Sequence, residues 1–313
     1  PDSNPSYLND VVANFAGLAE SLELTSLNGS AHPFVWKSYP YSGGSDHVVF
    51  NDGALRVPSV MLNRGDTFHH TSLDGMDKVD PTELRRSCFV ALGSALYLAS
   101  AGEAEAGDAA RLVARRAPDR MAGEYRAAQA ALLEARTADA LRDAFAQTLN
   151  VIDRSTEREK QAVLSAAVLA GPGRRLPGGA ALLKPIEVLA AAYLAEAMSL
   201  FEERGRALKV KPKAPFLSAE ERAAARVVPV RAAAFIGPLD PDYLADKLGT
   251  EAAGAIPLRG DAAYEALNFA DGRRSLLEIA RAVSAEFDPV PVSEVAVFFG
   301  LLEKAELVAL KRR

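Results

Sequence analysis

Two adjacent histidines, His69 and His70, share one polar loop with Asp66, Asp74 and Asp77. Imidazole and carboxylate are the ligands zinc takes in hydrolytic sites, so residues of these types close together could hold a metal or move a proton. Neighbouring histidines do not easily bind one ion together, however. By residue type alone, ordinary surface histidines in a loop are the plainer reading. The single cysteine, Cys88, excludes an internal disulfide and a cysteine-based zinc site. It lies in the apolar run CFVALGSALYLA, which predicts a small, buried, unreactive side chain.

The loop lies between two readable elements. Upstream, Val57 to Leu62 (VPSVML) is apolar and bounded by turn residues, which predicts a short buried strand. Downstream, Asp80 as N-cap, Pro81 at the first helical position and Glu83 predict a helix to about Ala99 that buries Leu84, Val90, Ala91, Ala95 and Leu98. Strand, loop and packed helix form an α/β unit, and in such sheets chemistry gathers at the carboxyl ends of strands. A first helix is predicted from Asn4 to Glu23, with Asn4 as cap and Leu8, Val11, Val12, Phe15 and Leu18 on one face. PFVWKSYP, residues 33–40, reads as extended, and Ser45 is placed to cap a brief helix through Phe50.

The order of these pieces resembles the C-terminal part of the catalytic domain of co-catalytic zinc aminopeptidases, a family that includes glutamate carboxypeptidase and the glutaminyl cyclases. The matching pieces are Ser45-Asp46-His47, then Val57-Pro58-Ser59-Val60-Met61-Leu62. After these come His69-His70-Thr71, Asp74-Gly75 and Lys78-Val79-Asp80-Pro81. They fall between Gly43 and Pro81, and the likeness covers at most a third of the chain. It implies that His70 is the last zinc ligand in chain order, in a site of two zinc ions. It implies that Asp46 lies near the active centre, supporting ligands through hydrogen bonds. His69 stands where many members carry a tyrosine or other aromatic, and a histidine there could donate to a developing oxyanion.

The rest of the family's ligand set has no counterpart. There is no His-x-Asp motif, and the Glu-Glu pairs, Glu202-Glu203 and Glu220-Glu221, follow His70 in charged helical text. A catalytic zinc takes about three protein ligands, so the chain by itself is expected to be inactive. Pro1 is no initiator methionine, and PDSNPSYLNDVV reads as the middle of a larger protein. A peptidase fragment whose other ligands and general base lie upstream is therefore the leading expectation, with peptides as substrate.

From about Glu103 to Leu208 the text is alanine-rich and charged, with helical periodicity interrupted by GPGRRLPGG, residues 171–179. It predicts a helical hairpin or bundle whose charged faces are solvated and whose alanine-rich helices could offer a dimer surface. Lys209 to Leu217 reads as a linker. Beyond it, a short helix ends at Asp271-Gly272, Ser275 caps a second, a third runs from Val292 to Lys304, and Leu307 to Leu310 closes as a strand. That is the order of a winged-helix domain. The predicted organisation is thus an α/β part over residues 1–101, a mainly α-helical region over 102–215 and a winged-helix-like domain over 216–313.

Composition bounds the alternatives. With 49% hydrophobic residues over 313 positions, a substantial core can form. The net charge of −5 argues against a nucleic-acid binder that relies on bulk electrostatics. The predicted recognition helix is apolar with Lys304 as its one base, whereas neutralising phosphates takes several Lys or Arg. A DNA-binding regulator is accordingly the third reading, behind a non-catalytic peptidase-like adaptor whose winged helix binds a protein partner. No apolar run approaches the roughly 18 residues of a membrane span, and no signal peptide opens the chain. Localisation stays open.

Overall fold

The computed structural model describes residues 1–211 and 215–313. Part of the predicted linker, residues 212–214, falls outside the described residues. The chain is mostly helical. Among the described residues its one sheet is a two-stranded antiparallel ribbon, β1 (Val227–Arg231) against β2 (Val308–Arg312), in the register Val227↔Arg312 to Arg231↔Val308.

The N-terminal part contains α1 (Leu8–Ser21), the short α2 (His47–Asn51) and α3 (Pro81–Ser100). Helix α1 starts three residues beyond Pro5, with Tyr7 rather than Asn4 at its N-cap position. Helix α3 begins where its sequence predicts. The Asp80 carboxylate accepts from the N–H groups of Thr82 (2.8 Å) and Glu83 (3.0 Å), with Pro81 in the first turn. Its buried face differs from the predicted one. The inward stripe is Thr82, Arg86, Val90 and Ser94, while Leu84, Ala91 and Ala95 are exposed. Arg86 sets this choice. Its guanidinium, only 2% exposed, donates to the carbonyls of Leu24 (2.9 Å) and His32 (2.8 Å) and to Glu83 (2.6 Å), pinning the 22–34 loop against the helix. Once that face is inside, Cys88 must point out, and it is exposed rather than buried.

The predicted strand VPSVML pairs with no other strand among the described residues; Ser59 instead exchanges bonds with the Asn51 side chain (3.1 and 2.8 Å), and Val57, Met61 and Leu62 are exposed. A strand needs a neighbour to satisfy its backbone groups, and no strand of residues 1–101 is described, so the expected sheet of an α/β domain is not found there.

The middle region is a bundle of α4 (Glu103–Glu134), α5 (Ala138–Ser165) and α6 (Gly179–Ala207). Alanine explains the close approach: Ala106, Ala109, Ala110 and Ala117 of α4 are all buried, and a methyl side chain lets backbones come near. Stacked pairs, Tyr125 on Tyr193 (4.3 Å) and Phe145 on Phe201 (4.1 Å), pack between these helices. A buried ion network fastens α1 to this bundle. Arg120 of α4 grips Asp10 of α1 through two bonds (2.8 and 3.1 Å) and Glu159 of α5 at 2.9 Å. The GPGRRLPGG break separates α5 from α6 as its composition predicts, and a short 3-10 turn (Ala166–Ala170) precedes it.

The C-terminal part adds α7 (Ala219–Ala224), α8 (Pro241–Leu248), α9 (Thr250–Gly254), α10 (Gly260–Asn268), α11 (Leu276–Glu286) and α12 (Val292–Lys304). Its core gathers Leu267, Ile279, Val283, Phe298, Phe299 and Leu302. Ser275 and Glu278 form a reciprocal capping box at the start of α11. Three helices followed by a closing strand appear as predicted, but the partner of that strand is β1, which precedes the helices.

Candidate functional site

The loop that carries His69 and His70 is built by short-range bonds. One Asp66 carboxylate oxygen accepts from the N–H groups of Phe68 (2.7 Å) and His69 (2.8 Å), an Asx turn that closes the loop. Those two donors hold the Asp66 carboxyl below the ordinary aspartate range. Thr71 returns its hydroxyl to the Phe68 carbonyl at 2.6 Å. Between them His70 takes a left-handed backbone, φ 61°, and this reversal stacks the two imidazoles with centroids 3.7 Å apart. Both side chains are exposed.

Asp46 precedes α2, is exposed, and gives no side-chain cap to that helix. Its neighbour His47 is the residue of the Ser45-Asp46-His47 turn that is buried. The His47 Nε2–H donates to the Ser42 carbonyl at 2.8 Å, and Nδ1 is buried and unpartnered among the described residues. The His47 ring meets Tyr41 edge-on, and Tyr41 stacks on Tyr264 of α10 at 5.3 Å. Burial pushes the Tyr41 phenol far above its ordinary range.

The zinc expectation can be weighed against these donors. Among the described residues no group of three or more His, Cys, Asp or Glu is placed to hold a metal ion, so Asp46, His69 and His70 do not assemble into one. Asp66 is engaged by its own loop, and the stacked rings cannot converge on one ion without parting. A catalytic zinc takes about three protein ligands, and the described residues do not bring three together, so no chemical step is routed through a metal here.

A different set of residues is brought together from far apart. The segment 41–57 is seated on the C-terminal part by Gly43 N–H to Asp261 (3.0 Å), Tyr264 hydroxyl to the Val48 carbonyl (2.7 Å) and Gly53 N–H to the Asn268 side chain (2.8 Å). Asp52, fully buried, pairs with Arg231 at the end of β1. Sequence reasoning missed Asp52, Arg231 and Asn268. The only local signal was the Asn51-Asp52-Gly53 turn, and nothing in it names a partner about 180 residues away.

No protein-family model matches this sequence, nor does any curated protein or solved structure.

Proposed function

We propose that the chain is part of a zinc-dependent hydrolase acting on peptides from their amino ends, in which His70 is the one metal ligand it supplies. The remaining ligands and the general base then lie on polypeptide outside these residues. The reading rests on the ordered pieces from Gly43 to Pro81. One structural observation supports it: the apolar VPSVML segment has no strand partner among the described residues, and its Val57, Met61 and Leu62 are exposed. Such a segment is a ready template for pairing with another strand. The exposed His69–His70 loop lies directly beyond it in sequence.

A second reading has its own support. On α3, Leu84, Cys88, Leu92 and Leu96 recur every four residues on one line and are all exposed. A protein-docking adaptor would use such a ridge without any metal. The regulator reading draws less from the structure, because the exposed positions of α12 include Glu303 beside Lys304.

The test has two steps. Bound zinc is measured in the purified 313-residue chain together with turnover of a panel of aminoacyl substrates, and the expected result is well under one equivalent and no turnover. Two tightly held ions with turnover would place the full ligand set inside this chain and overturn the single-ligand account. In a polypeptide extended to include the other ligands, His70→Ala abolishes hydrolysis; retained activity removes His70 from the site and favours the adaptor.

A further inference from the structure

Where the 52–56 turn meets the end of β1 and the turn between α10 and α11, the surface sinks into a cleft of about 430 Å³. That lies within the roughly 300–1,000 Å³ typical of small-ligand clefts. Val230, Phe235 and Leu267 give it an apolar wall, and its charged lining is Arg56, Arg231, Arg273 and Asp271.

Two of these charges are already neutralised. Arg231 pairs with Asp52, and Asp271 pairs with Arg274 at 2.7 Å while accepting from the N–H groups of Arg273 and Arg274, both at 2.9 Å. Arg56 gives one N–H to the Gly53 carbonyl at 3.2 Å. Neither the Arg56 nor the Arg273 guanidinium forms a salt bridge among the described residues, although Arg56 lies near enough to Asp271 to help hold that carboxyl below the ordinary aspartate range. Two guanidinium groups outside any salt bridge therefore line one cleft in a protein whose net charge is −5.

The backbone beneath Arg56 is also held in an unusual state. Arg56 has φ 52°, a left-handed conformation that non-glycine residues rarely take and that costs on the order of 1 kcal/mol or more unless its surroundings impose it. Here they do: its N–H donates to the Asp52 carbonyl at 2.8 Å, and Asp52 is fixed by Arg231. Gly53 lies so close to α10 that a Cβ there would stand 3.0 Å from the Asn268 backbone.

We propose that this cleft binds an oxyanion carried on a small apolar group, with Arg56 and Arg273 as its two cationic arms and Val230, Phe235 and Leu267 receiving the apolar part. The C-terminal carboxylate of a short peptide and a phosphate share the required chemistry. Guanidinium presents paired N–H donors that match either anion. The proposal does not rest on the metallopeptidase reading, because no residue of the His69–His70 loop lines the cleft.

Isothermal titration calorimetry on the full chain with EDTA present tests it, using N-acetyl-dialanine as free acid, its C-terminal amide, and inorganic phosphate. The free acid or phosphate is expected to bind, with the amide weaker by about tenfold or more, as expected when a charge-assisted pair is lost. Arg56→Ala with Arg273→Ala should weaken the bound anion by at least the same factor. Both residues are exposed, so the fold should persist, and unchanged circular dichroism verifies this. Ala233→Glu, which puts a carboxylate in the lining while keeping both arginines, should weaken it too. Acid binding identifies a peptide-like source and phosphate binding alone a phosphate source. No binding of either up to about 10 mM, or binding that the double variant leaves unchanged, overturns the proposal.

Discussion

Arg231 and Asp52 are joined by two hydrogen bonds of 3.1 Å each, from Nη1 and Nη2 to one carboxylate oxygen, with Asp52 fully buried and the Arg231 side chain 10% exposed. The second Asp52 oxygen accepts from the N–H groups of Ala54 (2.9 Å) and Gly237 (3.3 Å). Arg231 also donates to the Phe235 carbonyl at 2.9 Å. One pair thereby fastens the turn before VPSVML to the sheet of the C-terminal part.

Asp52→Ala should therefore destabilise strongly, by about 3–5 kcal/mol, because it leaves a buried guanidinium without its counter-charge. The double change Asp52→Ala with Arg231→Met should recover much of that loss, since no charge is then stranded. Urea unfolding of the three proteins decides the matter, and a single variant within about 0.5 kcal/mol of the parent would show that the pair is solvated in solution.

Glu286, at the end of α11, predicts a pH dependence. Burial comes first among the causes that push its carboxyl far above the ordinary glutamate range, followed by the charges of Glu265 and Asp2; the amino terminus opposes them. One of its oxygens is buried without a partner among the described residues, and the other accepts the Asp2 N–H at 3.2 Å. A raised folded value means the folded state keeps a proton that the unfolded chain releases. Its stabilising contribution is complete below the ordinary glutamate range and declines as pH rises, by up to ~1.4 kcal/mol per pH unit. Glu286→Gln should flatten the fall in stability between about pH 5 and pH 8 and be the more stable protein at the upper end. Parallel stability curves for the two proteins would refute the assignment.

Gly29 marks a contact that has no room for a side chain. A Cβ there would lie 2.2 Å from the Thr82 hydroxyl and 2.6 Å from the Thr82 backbone nitrogen. The same turn is held down by Ser26 N–H to Thr82 Oγ1 (3.0 Å) and Ser30 N–H to Asp80 (2.9 Å). Gly29→Ala should cost about 1–3 kcal/mol by forcing the turn off the start of α3. Leu27, 89% exposed in the same turn, supplies the control, and Leu27→Ala should be nearly neutral. Equal melting temperatures for the two variants would mean the turn is not seated on the helix.

What could be read in advance was local. Asp80-Pro81 starts α3 and Ser275 starts α11 because a cap is decided within four residues. The face α3 buries was not readable, since Leu84, Ala91, Leu92, Ala95 and Leu96 make the exposed side the more apolar one. The decision falls to Arg86, whose carbonyl partners lie 62 and 54 residues away. VPSVML has the composition of a strand, but a strand also needs a neighbour, and none is described. The cleft was invisible for the same reason: Gly53 and Asn268 meet across 215 positions, and neither belongs to a motif. Strand β1, VVPVR, was overlooked behind the linker, its five residues interrupted by a proline.

Cys88 offers the sharpest test of how the molecule is covered. It is the only cysteine, and it lies in the exposed α3 line with Leu84, Leu92 and Leu96. A thiol on that face should react with Ellman's reagent to one equivalent under native conditions, with little acceleration in denaturant, whereas a buried thiol waits for the protein to open. In the extended polypeptide of the hydrolase proposal, partner structure laid over this apolar ridge should slow the reaction by about tenfold or more, because access would then require that structure to lift. A thiol that is slow in the 313-residue chain itself would mean that α3 buries the face its composition first predicted. A thiol equally fast in both would leave the ridge uncovered in the longer protein and remove covering by the rest of a catalytic domain as its explanation.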